Sequence, residues 1–396
     1  MNTEQSLIQA NAGAFYVFDT ETLRERVGKL RALLPEEIKL CYAVKANTFI
    51  IGAIEPYIDR LEVCSPGEAE ICAQLKVDTP KMVISGVYKT PAVIEKLIAD
   101  SDFNGLFTAE SLQQYQQICY DAKRCGKRVP VLLRVTNDSQ FGMDEAIIQQ
   151  IVAERDDHPE VEIIGIQYFS GTQKTSLKKL RREIAHLDAF LTKLRDQYGY
   201  TAAELEYGTG FPVAYFKSDE IDEEALITGF GDLVREMVNK PQITIELGRS
   251  IAASCGRYYT HIVDMKRNRE QNYLLVDGGM HQMVYYGQSM AMKQPFLSVV
   301  GKEFEADEAL WNICGSLCSM NDIIVKQAPL PKIEIGDVLR FENTGAYCAT
   351  EGIALFLSRD LPAVYLRGEG GAYTCVRNTI ETAEFNSPIR KEAYHG

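Results

Sequence analysis

Lysine seldom closes an apolar β-type run, yet Lys45 closes one, CYAVK, and lysine is rarely buried unless it is paired or functional. In a partly apolar pocket its amine sheds its proton more easily and can form a Schiff base with an aldehyde cofactor. The plainer alternative is an amine that simply reaches solvent. Glu246, set between Ile245 and Leu247, is a second oddity, because a buried carboxylate requires a partner. Arg249 could be that partner, or the carboxylate could face a protonated ring nitrogen. Two glycine turns, Gly208-Thr209-Gly210 and Gly248-Arg249, suit close approach of backbone amides to an oxyanion, with helix N-termini adding a positive dipole. Thr172 offers a hydroxyl and Arg249 a fork of donors, so phosphate is the natural ligand. A Schiff-base lysine, a phosphate cup and an acid for a ring nitrogen together describe pyridoxal 5'-phosphate.

These residues need a scaffold that brings them together. After FYVFD (15–19), β-type runs recur at 38–46, 60–65, 82–86, 104–109, 130–136, 163–169, 205–208 and 243–248, with amphipathic helical stretches between them. Eight strand-helix units predict a (β/α)8 barrel of the TIM type, although an open doubly wound sheet shares the alternation. In such a barrel the site gathers at the carboxyl ends of the strands. Those ends carry Lys45, Glu62, Arg134, the YFSGTQ turn (168–173), the GTG turn, and Glu246 with Gly248 and Arg249. Past Ser250 the texture becomes strand-like with little helical periodicity. The expected organisation is α/β: a barrel over 21–250, with 1–20 and 251–396 forming a C-terminal all-β domain, sandwich- or barrel-like, that contributes to an active site at a dimer interface.

Composition narrows the setting. The net charge of −13 argues against nucleic acid or an anionic membrane as partner. No apolar run approaches the ~20 residues of a membrane span, and the polar start MNTEQSLIQANAG lacks the order of a signal peptide. Ten cysteines are scattered without a CxxC pair, and the histidines never fall at ligand spacing. Reduced thiols in a cytoplasmic protein without a metal site are therefore expected.

The ordered segments YAVKAN (42–47), CSPGEAE (64–70), FGM (141–143), GIQYFSGTQ (165–173), YGTGFP (207–212), ELGRS (246–250), VDGGM (276–280), CGSLCSMND (314–322) and IEIGDVLRFENTGAY (333–347) resemble pyridoxal-phosphate enzymes of the alanine-racemase fold. The resemblance is to the branch of diaminopimelate, ornithine and arginine decarboxylases, as a divergent member. It implies that Lys45 carries the cofactor and Glu246 faces its pyridine nitrogen. It further implies that Thr172, Gly208, Thr209, Gly210, Gly248, Arg249 and Tyr347 hold the phosphate, with Arg134 and Glu62 supporting the ring. Cys318 matches a cysteine that a second subunit supplies as proton donor, which implies a homodimer with shared sites.

The departures from that pattern carry information. Phe169 replaces a stacking histidine, and Gln167 stands at the upstream histidine position. Thr209 adds a side chain to a turn that is usually three glycines. Ser319 follows Cys318 where amine-recognising relatives carry an acid for the substrate's distal ammonium; Asp322 is the available substitute. With His281 and Tyr286, these two are the candidate substrate-binding residues. The expected activity is decarboxylation of an amino acid, free or conjugated. A racemase of the same fold and a non-catalytic cofactor binder are the alternatives, and Glu246 separates the first, because such racemases place an arginine against the ring nitrogen.

Overall fold

The computed structural model describes residues 3–288 and 290–388. They divide into two compact units. One holds Arg24–Val213 and Ile221–Ile251; the other holds the amino-terminal segment up to Leu23, an excursion at Ala214–Glu220, and the chain from Ala252 onward.

Strand β1 (Phe15–Asp19) belongs to the second unit. The first unit is a closed parallel barrel of β2 (Lys39–Ala43), β3 (Arg60–Val63), β4 (Met82–Ile84), β5 (Leu106–Ala109), β6 (Val129–Arg134), β7 (Val161–Phe169), β8 (Glu204–Gly208) and β9 (Gln242–Leu247), in that order around the circle. Most of the strands are largely apolar because they are covered on both faces, whereas β3 (RLEV) and β8 (ELEYG) each bring two charged side chains. Helices between strands begin and end where local chemistry dictates. Leu112–Cys125 starts at Ser111, whose side chain accepts the Gln114 N–H, and stops at Gly126 in the left-handed region. Leu177–Tyr198 repeats the device with Ser176 and Gly199.

Inside the barrel, Cys41, Val83, Leu106 and Leu132 form an apolar cluster. Beside Cys41, Arg60 donates from β3 across the barrel to both carboxylates of β8: to Glu204 at 2.8 Å and, more distantly, to Glu206 at 3.3 Å. Thr244 of β9 adds a hydrogen bond to Glu204 at 2.6 Å.

The strands of the second unit are joined by hydrogen bonds into one nine-stranded network. Its hub is β10 (Gly256–Asn268). The first half of β10 pairs with β1 on one side and with Val338–Glu342 on the other. After a bulge between Ile262 and Asp264, its second half pairs with Gln271–Val276. A strand that bends at a bulge can serve two parts of a sheet, and β10 does so here.

Candidate active site

The barrel strand β2 stops at Ala43, and Lys45 sits in the 3-10 turn Val44–Ala46 that follows, not on the strand itself. This places its amine at the strand's carboxyl end with the side chain 44% exposed. Lys45 Nζ donates to Glu62 Oε2 at 2.8 Å and lies 3.4 Å from Cys64 Sγ. Glu62 is buried on β3. Burial pushes its carboxyl up, but the charge and hydrogen bond of Lys45, helped by Cys64 and Arg134, win and hold it below the usual range. Arg134, the last residue of β6, donates to the buried Glu110 at 2.7 Å and covers the Phe141 ring at 5.0 Å.

Glu246 on β9 answers to a different neighbourhood. Gln167 of β7 donates to its Oε1 at 2.7 Å. Burial pushes its carboxyl up to about 7, the negative charge of Glu62 adds to this, and hydrogen bonds from Glu206 and Gln167 with the charge of Lys45 pull the other way. Glu206, two residues before Gly208, is completely buried, and its carboxyl is pushed well up by burial and by Glu246.

The turn at Gly171 and the turn at Gly210 meet backbone to backbone. A Cβ on Gly210, whose φ is +61°, would lie 2.2 Å from the Gly171 carbonyl oxygen. Gln173 exchanges two hydrogen bonds with the Val213 backbone, at 2.9 and 2.7 Å, and the Lys174 N–H donates to Gly210 at 2.9 Å. Beneath them lies a buried network: Lys174 Nζ donates to Glu183 at 2.8 Å, and Glu183 also accepts from Ser170 at 2.6 Å and from Tyr207. Arg249 Nε donates to Thr172 Oγ1 at 3.4 Å, which brings two expected phosphate ligands together. Phe169 packs so closely on Gly208 that a Cβ there would fall 2.2 Å from its ring. Thr209 does not intrude on the turn: its side chain is buried and its hydroxyl accepts the Phe211 N–H.

One expectation fails here. No long helix follows either turn directly. Gly208 leads into an irregular stretch, and the helix after Gly248 is the four-residue Arg249–Ala252, too short to present a useful dipole. Side chains and bare backbone remain as the donors.

The other candidates lie in the second unit. Tyr347 has a left-handed backbone, φ +64°, and its carbonyl accepts the N–H groups of Thr350 and Glu351. Cys318 is exposed, and Ser319 Oγ accepts the Asn321 N–H at 3.2 Å. Asp322 is not available to a substrate. It is buried, and its two oxygens accept the Met280 and Leu317 N–H groups, each at 2.8 Å. Its carboxylate also fills the space beside Gly279 and Gly315 that a Cβ would need. Asp322 is thus the staple of the 314–322 loop. His281 is buried, its Nδ1 has no partner among the described residues, and burial with the nearby Arg359 pushes it down to about 4, so it is neutral. Tyr286 is exposed.

Glu110, Glu206, Lys174 and Glu183 were invisible as site residues in the sequence; only the burial of charge in apolar strands hinted at them. Among the described residues one trio could offer metal ligands, Cys119, His158 and Glu160. It sits at the foot of the barrel, before β7 begins, and the His158–Glu160 contact of 3.3 Å together with a Cys119 thiol pushed up to about 11 by burial accounts for it without an ion.

The barrel residues fit pyridoxal phosphate. An amine at a strand end, a buried carboxyl suited to a ring cation, an aromatic face at Phe169, and a glycine cradle bordered by Thr172 and Arg249 are the donors that cofactor needs. A family profile described as "Pyridoxal-dependent decarboxylase, C-terminal sheet domain" matches residues 15–345. The L-glutamyl-[BtrI acyl-carrier protein] decarboxylase of Niallia circulans is 25% identical, over 95% of this chain and 94% of that protein. Diaminopimelate decarboxylase of Methanocaldococcus jannaschii is 24% identical over 94% and 86%. A crystal structure of the M. jannaschii enzyme with L-lysine shares the fold with a TM-score of 0.86 and 21% identity, covering 98% of this chain and 94% of that one. No helix among the described residues is long and apolar enough to cross a membrane. With most of its length matched by the profile, the chain belongs to the pyridoxal-dependent decarboxylases.

Proposed function

We propose that this pyridoxal-phosphate-dependent decarboxylase acts on an amino acid whose far end is neutral or joined in an amide, and that it works as a cytoplasmic homodimer. The observation that carries the substrate reading is the spent carboxylate of Asp322. It is the sole acid in the 314–322 loop, and both of its oxygens are committed to backbone amides. Ser319 cannot neutralise an ammonium, and a buried unpaired ammonium is strongly disfavoured. The similarity to an enzyme named for a glutamyl group on a carrier protein supports a conjugated substrate.

When bound, the cofactor supplies a ring that withdraws the electrons released as CO2 departs. Lys45 would hold the cofactor's aldehyde, and Glu62 keeps that amine oriented. Glu246 would hold a proton at the ring nitrogen. Gly208, Thr209, Gly210, Gly248, Thr172 and Arg249 would bind the phosphate, joined by Tyr347, while Phe169 and Arg134 support the ring. Cys318, from a second copy of the chain, would return a proton to the α-carbon. Its exposure in a loop held rigid by Asp322 supports that role.

The test incubates the purified protein and pyridoxal phosphate in heavy water with free basic, acidic and diamino acids and their amide-conjugated forms. Loss of CO2 with one deuterium gained, from conjugated or neutral-ended compounds, is expected. A clear preference for free lysine or diaminopimelate would overturn the substrate reading. Deuterium gain with inversion and no CO2 loss would make the chain a racemase.

A further inference from the structure

Glu206 has no part in the chemistry assigned so far, yet it is among the most deeply buried charged-type residues of the barrel. The groups facing it are Glu246 from β9, Arg60 from β3, Cys41 from β2 and Glu204 from its own strand, with Glu62 and Lys45 acting on Glu246 beyond. Its Oε2 receives only the 3.3 Å contact from Arg60, whose guanidinium is already engaged with both oxygens of Glu204. Its Oε1 is buried with no donor among the described residues. β8 pairs with β9 so that Glu206 stands beside Thr244, and the next residue on that face of β9, Glu246, brings a second carboxyl alongside it.

Two carboxylates in contact away from water cannot both be ionised; a proton between them turns repulsion into a hydrogen bond. Its location follows from the remaining partners. Glu246 already accepts the Gln167 amide at 2.7 Å, which favours the anion there. Glu206 has only a long contact from an Arg60 that Glu204 already engages, and its Oε1 receives no donor among the described residues, so the proton stays with it.

We propose that Glu206 is a positioning residue that remains protonated and donates its proton to Glu246, so that Glu206 and Gln167 together hold Glu246 as an oriented anion for the cofactor's ring nitrogen. This rests on the reading of Glu246 given above. The opposing shifts support it: burial and Glu246 raise the Glu206 carboxyl, while the hydrogen bonds from Glu206 and Gln167 act to lower that of Glu246.

Infrared difference spectra of the full chain, with and without pyridoxal phosphate, locate the proton. At about pH 8.5, above the value near which Glu246 ionises, wild type should show the carbonyl stretch of an un-ionised carboxylic acid. Glu206→Gln should lose that band and Glu246→Gln should keep it. Turnover gives the second readout. Glu206→Gln retains a donor to Glu246 and should stay near wild type, whereas Glu206→Met removes it and should lose about 10- to 100-fold in kcat. Absence of the acid band in wild type, or its persistence in Glu206→Gln, overturns the proposal whatever the folding of the Met variant. Normal turnover by Glu246→Gln with the band intact would instead overturn the reading of Glu246 on which the proposal rests.

Discussion

The β3 wall and the β8–β9 wall of the barrel each bury a glutamate near the strand ends, and they hold it in opposite states. Glu62, 2.8 Å from the Lys45 amine, is kept below the ordinary carboxylate range. Glu246, bonded to an amide and a second carboxyl, is pushed up to about 7. Both are buried, so burial does not decide the outcome. The nearest full charge does. The barrel therefore offers one fixed anion that secures the lysine and one carboxyl that is poised for a cation the protein itself does not supply.

The largest expected effect removes the charge that separates the two. Lys45→Ala should abolish turnover, because it removes the amine proposed to hold the cofactor, and it should raise the Glu62 carboxyl toward the Glu246 value. CO2 release checks the first and a carboxylate titration by NMR the second; near-normal turnover would sink the assignment. Next come the glutamates themselves. Glu246→Gln should lower kcat by about 10²- to 10⁴-fold, whereas Glu62→Gln still offers Lys45 a hydrogen-bond acceptor and should cost about tenfold or less. Equal losses would erase the contrast drawn between the walls.

Stability against pH sharpens the same contrast in the cofactor-free chain. Glu246 keeps its proton when folded across the window from 4.5 to about 7, while the unfolded chain has lost it there, so stability falls as pH rises through that window. Glu62 behaves in the other sense: its stabilisation is present above 4.5 and is lost as pH falls through its lowered folded value. Denaturant midpoints should accordingly show Glu246→Gln gaining on wild type from about pH 5 to 7, and Glu62→Gln losing its deficit only in acid. A parallel pH course for both variants would contradict the assignment of their charge states. The smallest effect is expected from Thr209→Gly, which gives up the hydroxyl bonded to Phe211 and costs about 1 kcal/mol of stability with cofactor affinity nearly unchanged. A large loss of affinity would mean that the Thr209 side chain helps to hold the phosphate.

The barrel was legible because apolar strand-like runs alternate with helical stretches, and the proposed site residues stand out because they lie at the ends of those runs. What the sequence hides is direction and commitment. LEYG reads as a strand, but the inward aim of Glu206 emerges only from a register that sets it beside Thr244. Asp322 reads as a spare acid, since nothing in CSMND shows that two backbone N–H groups converge on it. Thr209 reads as an obstruction until its hydroxyl is seen turned to its own chain. The branched sheet was similarly hidden, because a bulge in β10 leaves no mark on the alternation.

In the proposed phosphate site, the contact between the turns at Gly171 and Gly210 bears on how long a bound cofactor would stay. Because the two turns touch through backbone and are cross-tied by Gln173 and Lys174, neither can swing away alone. Escape of the phosphate would require both to unlatch in one concerted event. A rare joint opening of that kind makes departure slow even where the equilibrium grip is moderate. The chain would thus retain its cofactor through kinetics as much as through affinity.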